Sequence, residues 1–244
     1  MKSPSPLAPL RRIAAWLPAS PFAPMLNEVT SLAGRTLARP LRLDPTATNY
    51  LNIGCGSIEL EGFVNVDFFR VRWRRPTAPF YGADLRHPLK VSSGTVDGIL
   101  TEHTLEHLRY DEAERLLAEC LRILKPGGRL RVVLPDISLF IDRYVRNDVE
   151  WFAVWERLYF IESDDPQRRK RRLLSPLQAV SFVAQEYGHV SCWDFDTLKK
   201  LLHRVGFRDI VRTNFREGPD PSLLRDVDAP DRRHVSLYAE AVKV

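Results

Sequence analysis

Residues Tyr50 to Asp67 read YLNIGCGSIELEGFVNVD, two β-favouring apolar runs joined by a glycine loop and a short polar link. Tyr50, Leu51 and Ile53 lead straight into Gly54-Cys55-Gly56, the pattern of a buried parallel strand ending where the backbone must approach something closely. The second run, Phe63 to Val66, ends in Asp67, and a carboxylate just past a strand end can accept both hydroxyls of a ribose. Only Ser57 to Gly62 separates the loop from the second strand, so the helix that ordinarily joins two parallel strands must be almost absent. The stretch therefore predicts an α/β sheet with a shortened first crossover and a nucleoside-containing ligand at its strand ends.

The chain beyond keeps a strand and helix rhythm. Phe80 to Leu85 reads as the end of a third strand, with Asp84 at its tip and able to bond an exocyclic amine. Val96 to Leu100 reads as a fourth strand, followed by Thr101-Glu102-His103-Thr104-Leu105-Glu106-His107-Leu108. Ala113, Leu116, Leu117, Cys120, Leu121 and Leu124 recur at helical spacing, Lys125-Pro126-Gly127-Gly128 stops that helix, and Arg129 to Leu134 forms a fifth strand. Asp194 or Asp196 can cap a helix running to Val205, and Phe207 to Phe215 and Val235 to Val242 supply the last two strands. Polar groups at successive strand ends of a parallel sheet converge on one edge, where such sheets bind ligands.

In this order, LNIGCG, VNVD, ADL, VDGILTEHTLEHL and LAECLRILKPGGRLRVVLPD resemble the class I S-adenosylmethionine-dependent methyltransferases. The start GCG-x5-GF-x-NVD and the later Gly188-His189 and Asp194-x-x-x-Leu198 are similar to a bacterial group of predicted small methyltransferases, the type 11-like group, over roughly residues 49–242. The resemblance implies a Rossmann-like sheet of seven strands with an antiparallel last hairpin, and S-adenosylmethionine as cofactor. It places Gly54, Cys55 and Gly56 along the methionine part, Asp67 on the ribose, Asp84 and Leu85 at the adenine, and Glu102 and His103 near the sulfonium. Asn52 stands where many relatives carry an acid reaching the cofactor amino group, and Ile58 where a third glycine is usual.

His103-Thr104-Leu105-Glu106-His107 also matches H-x-x-E-H, in which two histidines one helical turn apart hold zinc and the glutamate activates water. Its setting after a strand in a βα series, rather than within a long helix, argues against a peptidase, and no metal is expected. A neutral histidine is the side chain best matched to deprotonating a hydroxyl near pH 7. His103 and His189 are the candidate catalytic residues, with His107 expected to hold structure.

Residues 1–45 form a proline-rich N-terminal extension and 46–244 the expected catalytic domain, in which 136–193 leaves the βα rhythm as a helical cap that covers the strand ends and selects substrate. No apolar run approaches the ~20 residues a membrane-spanning helix needs, though Trp16, Leu17 and Phe22 could touch a membrane surface peripherally. Cys55, Cys120 and Cys192 form no C-x-x-C pair, which fits a reducing, cytoplasmic setting. The net charge of +5 is matched by the five cations of Arg168 to Arg172, an anion-binding patch or a solvated loop. No N/D-P-P-Y/F/W motif for flipped-base amines and no RNA-binding module is present. The expected acceptor is thus oxygen or nitrogen of a small molecule or glycan, with nucleic acid or a catalytically idle cofactor-binding role as the alternatives.

Overall fold

Apolar side chains alternate along the inner strands, and that period of two builds the sheet and divides its faces. The computed structural model describes residues 23–68 and 78–244. Its elements are α1 (Ala23–Leu37), β1 (Tyr50–Ile53), β2 (Val64–Asp67), β3 (Phe80–Gly82), β4 (Val96–Glu102), α2 (Tyr110–Ile123), β5 (Leu124–Pro135), α3 (Ile137–Val145), α4 (Val149–Glu156), α5 (Pro176–Gln185), α6 (Phe195–Val205), β6 (Arg208–Thr213), α7 (Pro230–Val235) and β7 (Ser236–Val242). The strands make one seven-stranded sheet in the order β3-β2-β1-β4-β5-β7-β6, with β7 antiparallel to both neighbours. This is the Rossmann-like sheet with an antiparallel last hairpin that the motifs imply. Trp16, Leu17 and Phe22 lie outside the described residues.

One face is apolar. Leu51, Ile53, Val66, Ile99, Leu130, Val132, Leu237 and Ala239 share a core with Leu116, Leu117 and Cys120 of α2 and with Leu198, Leu201 and Leu202 of α6. Asp194 caps α6 by accepting from Thr197 N at 2.8 Å, and Gly206 at φ 122° ends it.

The other face carries a polar row. Register pairs Asn65 with Asn52, Asn52 with Leu100, Leu100 with Arg131, and Arg131 with Glu240 across five strands. Helices do not supply the hydrogen-bond partners of this row; loops do. Asn65, fully buried, accepts from Asn52 Nδ2 at 2.9 Å and Leu60 N at 2.8 Å, and donates to Leu60 O at 3.1 Å. One asparagine thus staples the loop that stands where a crossover helix would be, and a parallel β1–β2 pair forms without it. Arg131, also fully buried, reaches the carboxylates of Asp226 and Glu240 and the carbonyls of Asn214 and Glu217, so the connection after β6 is fastened down over the sheet.

Residues 137–185 build a second, aromatic core of Phe140, Phe152, Trp155, Phe160 and Phe182, capped at its base by Val235. Part of the basic run packs here. Arg168 lies over the rings of Tyr159 and Tyr187 at 4.5 and 5.2 Å, and Arg171 over Phe182 at 6.0 Å. Among the described residues no helix is long and apolar enough to cross a membrane.

The helix α1 is tied to the segment after β3. Ser31 Oγ donates to Asp84 at 2.5 Å, and Arg86 spans Asp84 and Glu28. Burial alone would raise the Asp84 carboxyl, but the bonds from Arg86 and Ser31 outweigh it and hold it at about 2 against an ordinary 3.8. Because the folded value is depressed, this stabilisation is complete above pH 4 and is lost as pH falls through 2. It amounts to about 2 kcal/mol. Thermal unfolding followed from pH 5 to pH 2 should show wild type losing stability in that window and Asp84→Asn losing correspondingly less.

Candidate active site

The loop after β1 and the acid after β2 form one unit. Gly54 has φ +76°, and a Cβ there would sit 2.1 Å from Thr104 Oγ1, so only glycine lets the loop lie against the β4 end. Its amide and that of Cys55 both donate to Val66 O, at 2.8 and 3.2 Å. Gly56, at φ +54°, is the opposite case: a Cβ would meet nothing within 4 Å, and its N–H donates to Asp67 Oδ2 at 2.5 Å. Asp67 Oδ1 accepts from Phe68 N at 2.7 Å. Asn52 spends its amide on Ile58 O and Asn65, clamping the loop from beneath.

Two hollows open beside this loop. A recess of about 170 Å³ is bounded by Asn52, Gly54 to Ile58 and Glu102 on one side and by Arg225, Val227 and Arg232 on the other. A cavity of about 830 Å³ lies beneath the aromatic cap, with Trp155, Tyr159 and Tyr187 among its walls. His103, Val227 and Arg232 line both. Glu102 pins that partition, accepting from Arg232 at 2.8 Å and from Val227 N at 3.0 Å.

His103 holds a left-handed backbone, φ 49°, unusual for a side chain other than glycine and a local strain of the kind found at functional positions. Its Nε2 lies 3.0 Å from Ser236 Oγ and its Nδ1 3.4 Å from Glu106 Oε1. Burial, reinforced by Arg232 and the neighbouring histidines, lowers its pKa well below the usual imidazole value, so the ring is neutral at pH 7. Glu106 is 2% exposed, and burial pushes its carboxyl up to about 8 against the opposing pull of Arg232. His107 is lowered by burial and then by His189, whose ring packs edge-on at 4.9 Å. His189 Nδ1 lies 2.7 Å from Val183 O, so this nitrogen carries the proton.

A glycine loop and acid at successive strand ends, on a sheet of this order, coincide with a family match: residues 25–211 of the 244 fit the model of the methyltransferase domain. This chain belongs to that family. The methyltransferase takes its methyl group from S-adenosylmethionine. No curated protein matches the chain. Solved structures similar to it include a SAM-dependent methyltransferase from Archaeoglobus fulgidus, at 17% identity over 89% of this chain and 94% of that one, TM-score 0.45. Another is a SAM-dependent methyltransferase and possible histamine N-methyltransferase from Thermotoga maritima, at 17% identity over 96% of each chain, TM-score 0.45.

Of the residues singled out in the sequence, Asn52, Gly54, Cys55, Gly56, Glu102 and His103 surround the recess of the methyltransferase, and Asp67 closes its loop. His189 lines the larger cavity together with His103. Asp84 comes to the same edge but is 3% exposed, with both oxygens engaged by Arg86 and Ser31, so in this structure it holds α1 rather than facing a ligand. Leu85 is partly buried against the apolar core. Sequence reasoning missed Arg225, Val227 and Arg232, which belong to a stretch that reads only as a polar, proline-containing connection. It also passed over Glu106 as part of a zinc pattern in the wrong setting.

Proposed function

We propose that the enzyme methylates oxygen or nitrogen of a small-molecule or glycan-type acceptor bound in the larger cavity, with residues 136–193 of a catalytic unit spanning 46–244 selecting it. The observation that carries this reading is that the two hollows meet along His103, Val227 and Arg232, so donor and acceptor can be brought together at a shared boundary. The recess suits the amino-acid end of the cofactor, since Glu102 offers a carboxylate to an ammonium and the exposed Arg225 a cation to a carboxylate. Asp67 then takes the ribose at the open side of Gly56, with Leu85 and the backbone at Asp84 toward the adenine. Bound S-adenosylmethionine supplies a methyl group already activated on a sulfonium. What remains for the protein is alignment, exclusion of water and, for a hydroxyl acceptor, a base. Neutral His103 is that base in our reading, and His189 orients the acceptor opposite it.

The lining favours a neutral or cationic acceptor over a polyanion. Glu162, Asp164, Asp165, Asp228 and Asp231 border the cavity against Arg168 and Arg232, and Arg168 is already stacked on tyrosines. Trp155 and Tyr159, stacked at 5.3 Å, belong to the aromatic part of the lining. The three cysteines, two of them buried, are compatible with the reducing cytoplasm we propose for it.

Isothermal titration with S-adenosylhomocysteine, followed by turnover on a panel of hydroxylated and amino acceptors, tests the reading. His103→Gln is expected to lower kcat about 10²–10⁴-fold with cofactor affinity little changed. A variant with wild-type kcat would reduce catalysis to alignment alone. Cofactor binding without turnover on any acceptor would favour an idle partner, and tight RNA or DNA binding with a steep salt dependence would favour a nucleic-acid substrate.

A further inference from the structure

We propose that Glu106, His107 and His189 form a binding site for a first-row divalent transition-metal ion, zinc being the representative, at the wall of the acceptor cavity. One ligand atom from each of the three residues lies within 4.8 Å of the others. Glu106 is 2% exposed, lines the cavity, and has no hydrogen-bond donor on either carboxylate oxygen among the described residues. A buried carboxylate without a donor is costly, and a cation is the partner that removes the cost.

The histidines are oriented as metal ligands are. His189 Nδ1 donates to Val183 O at 2.7 Å, which leaves Nε2 as a lone-pair donor. The backbone of Tyr187 and Gly188 lies against His107. Those two residues form a left-handed turn, φ 59° and 79°, that brings His189 beside His107. Val190 N and Ser191 N both donate to Glu106 O, at 2.8 and 3.3 Å, so the two segments are riveted together before any ion arrives. Two imidazoles and one carboxylate suit zinc, cobalt, iron or nickel, and leave coordination positions open toward the cavity.

This set differs from the one the H-x-x-E-H pattern suggested. His103 stands beside the set rather than in it, with Nε2 at Ser236 Oγ and Nδ1 3.4 Å from Glu106 Oε1, and His189 takes its place. Resting on the reading that the acceptor occupies this cavity, the ion's role is to hold and polarise an acceptor oxygen beside His103. His189 then orients the acceptor through the metal.

The test uses the full chain, free of any affinity tag, stripped with chelator and titrated separately with Zn²⁺ and Co²⁺ in the absence of cofactor and acceptor. One ion per chain is expected, with Co²⁺ developing the visible absorption of a low-coordinate nitrogen and oxygen site. Glu106→Gln and His189→Gln should each weaken Zn²⁺ at least about 100-fold, while His103→Gln should not. S-adenosylhomocysteine binding by each variant reports that it is folded. Failure of the wild-type chain to take up a stoichiometric ion overturns the proposal, as does Zn²⁺ binding that His189→Gln leaves unchanged. In the first case Glu106 is a buried acid sharing a proton with His103. If metal fails to bind while cofactor binding and turnover persist, only the ion is lost and the acceptor reading stands. If the ion binds and no acceptor is ever methylated, the acceptor reading falls and the site remains.

Discussion

Asp67→Ala is expected to weaken S-adenosylhomocysteine binding by about 100-fold or more. A carboxylate accepting two ribose hydroxyls makes two charge-assisted bonds of about 1.5–3 kcal/mol each, and about 1.4 kcal/mol is a factor of ten in affinity. The substitution also removes the acceptors that Asp67 offers the amides of Gly56 and Phe68, at 2.5 and 2.7 Å, so the loop loses this brace together with the ligand contact. Asp67→Asn keeps one acceptor oxygen and should fall between alanine and wild type. Titration calorimetry on folded variants measures both. An alanine variant that binds as well as wild type would remove Asp67 from the site and, with it, the proposed placement of the cofactor.

Arg131→Met is expected to cost about 3–5 kcal/mol, the range for leaving buried charges without their partner. The Arg131 side chain is fully buried. Its guanidinium binds Asp226 through two nitrogens at 2.7 and 2.5 Å, Glu240 at 3.0 Å, and Thr213, Asn214 O and Glu217 O besides, which uses every donor it has. Burial alone would lower its pKa, yet the two carboxylates outweigh this and raise it. Removing the cation strands Asp226 and Glu240 in a buried site. For a chain of this size the loss corresponds to about 6–20 °C in melting temperature. The damage should reach the site, because the fastened connection carries Arg225 and Val227 into the recess. Urea unfolding and cofactor titration should therefore move together. Adding Asp226→Asn and Glu240→Gln should recover part of the stability, and a single variant that loses less than about 1 kcal/mol would show the triad to be dispensable.

Local pattern carried the sheet a long way. Alternation in YLNI, VNV and VDGIL and the helical stripe from Ala113 to Leu124 are consequences of which face is buried, and burial on one face imprints a period on neighbouring residues. The glycine loop and Asp67 were legible for the same reason: a positive φ and a close approach must be met by the residue at that very position. The short link after Gly56 likewise announced a missing helix.

Pairing across distance left no such imprint. Arg131 sits in RLRVV, where a strand cation ordinarily points to solvent, and nothing near it reveals that Asp226 and Glu240 wait on its face of the sheet. Asp84 at a strand tip looked available to a ligand until Ser31 and Arg86 were seen to occupy it. The five cations from Arg168 to Arg172 read as a solvated loop or a surface for anions, and only the fold lays Arg168 and Arg171 over rings of the cap. Glu106 and His189 stand far apart in the chain and meet only because the turn at Tyr187-Gly188 is bonded back onto the end of the short helical turn after β4. Periodicity and turn chemistry are local and written in consecutive residues. Charge partners, ligand sets and cavity walls are chosen by the folding of distant segments onto one another.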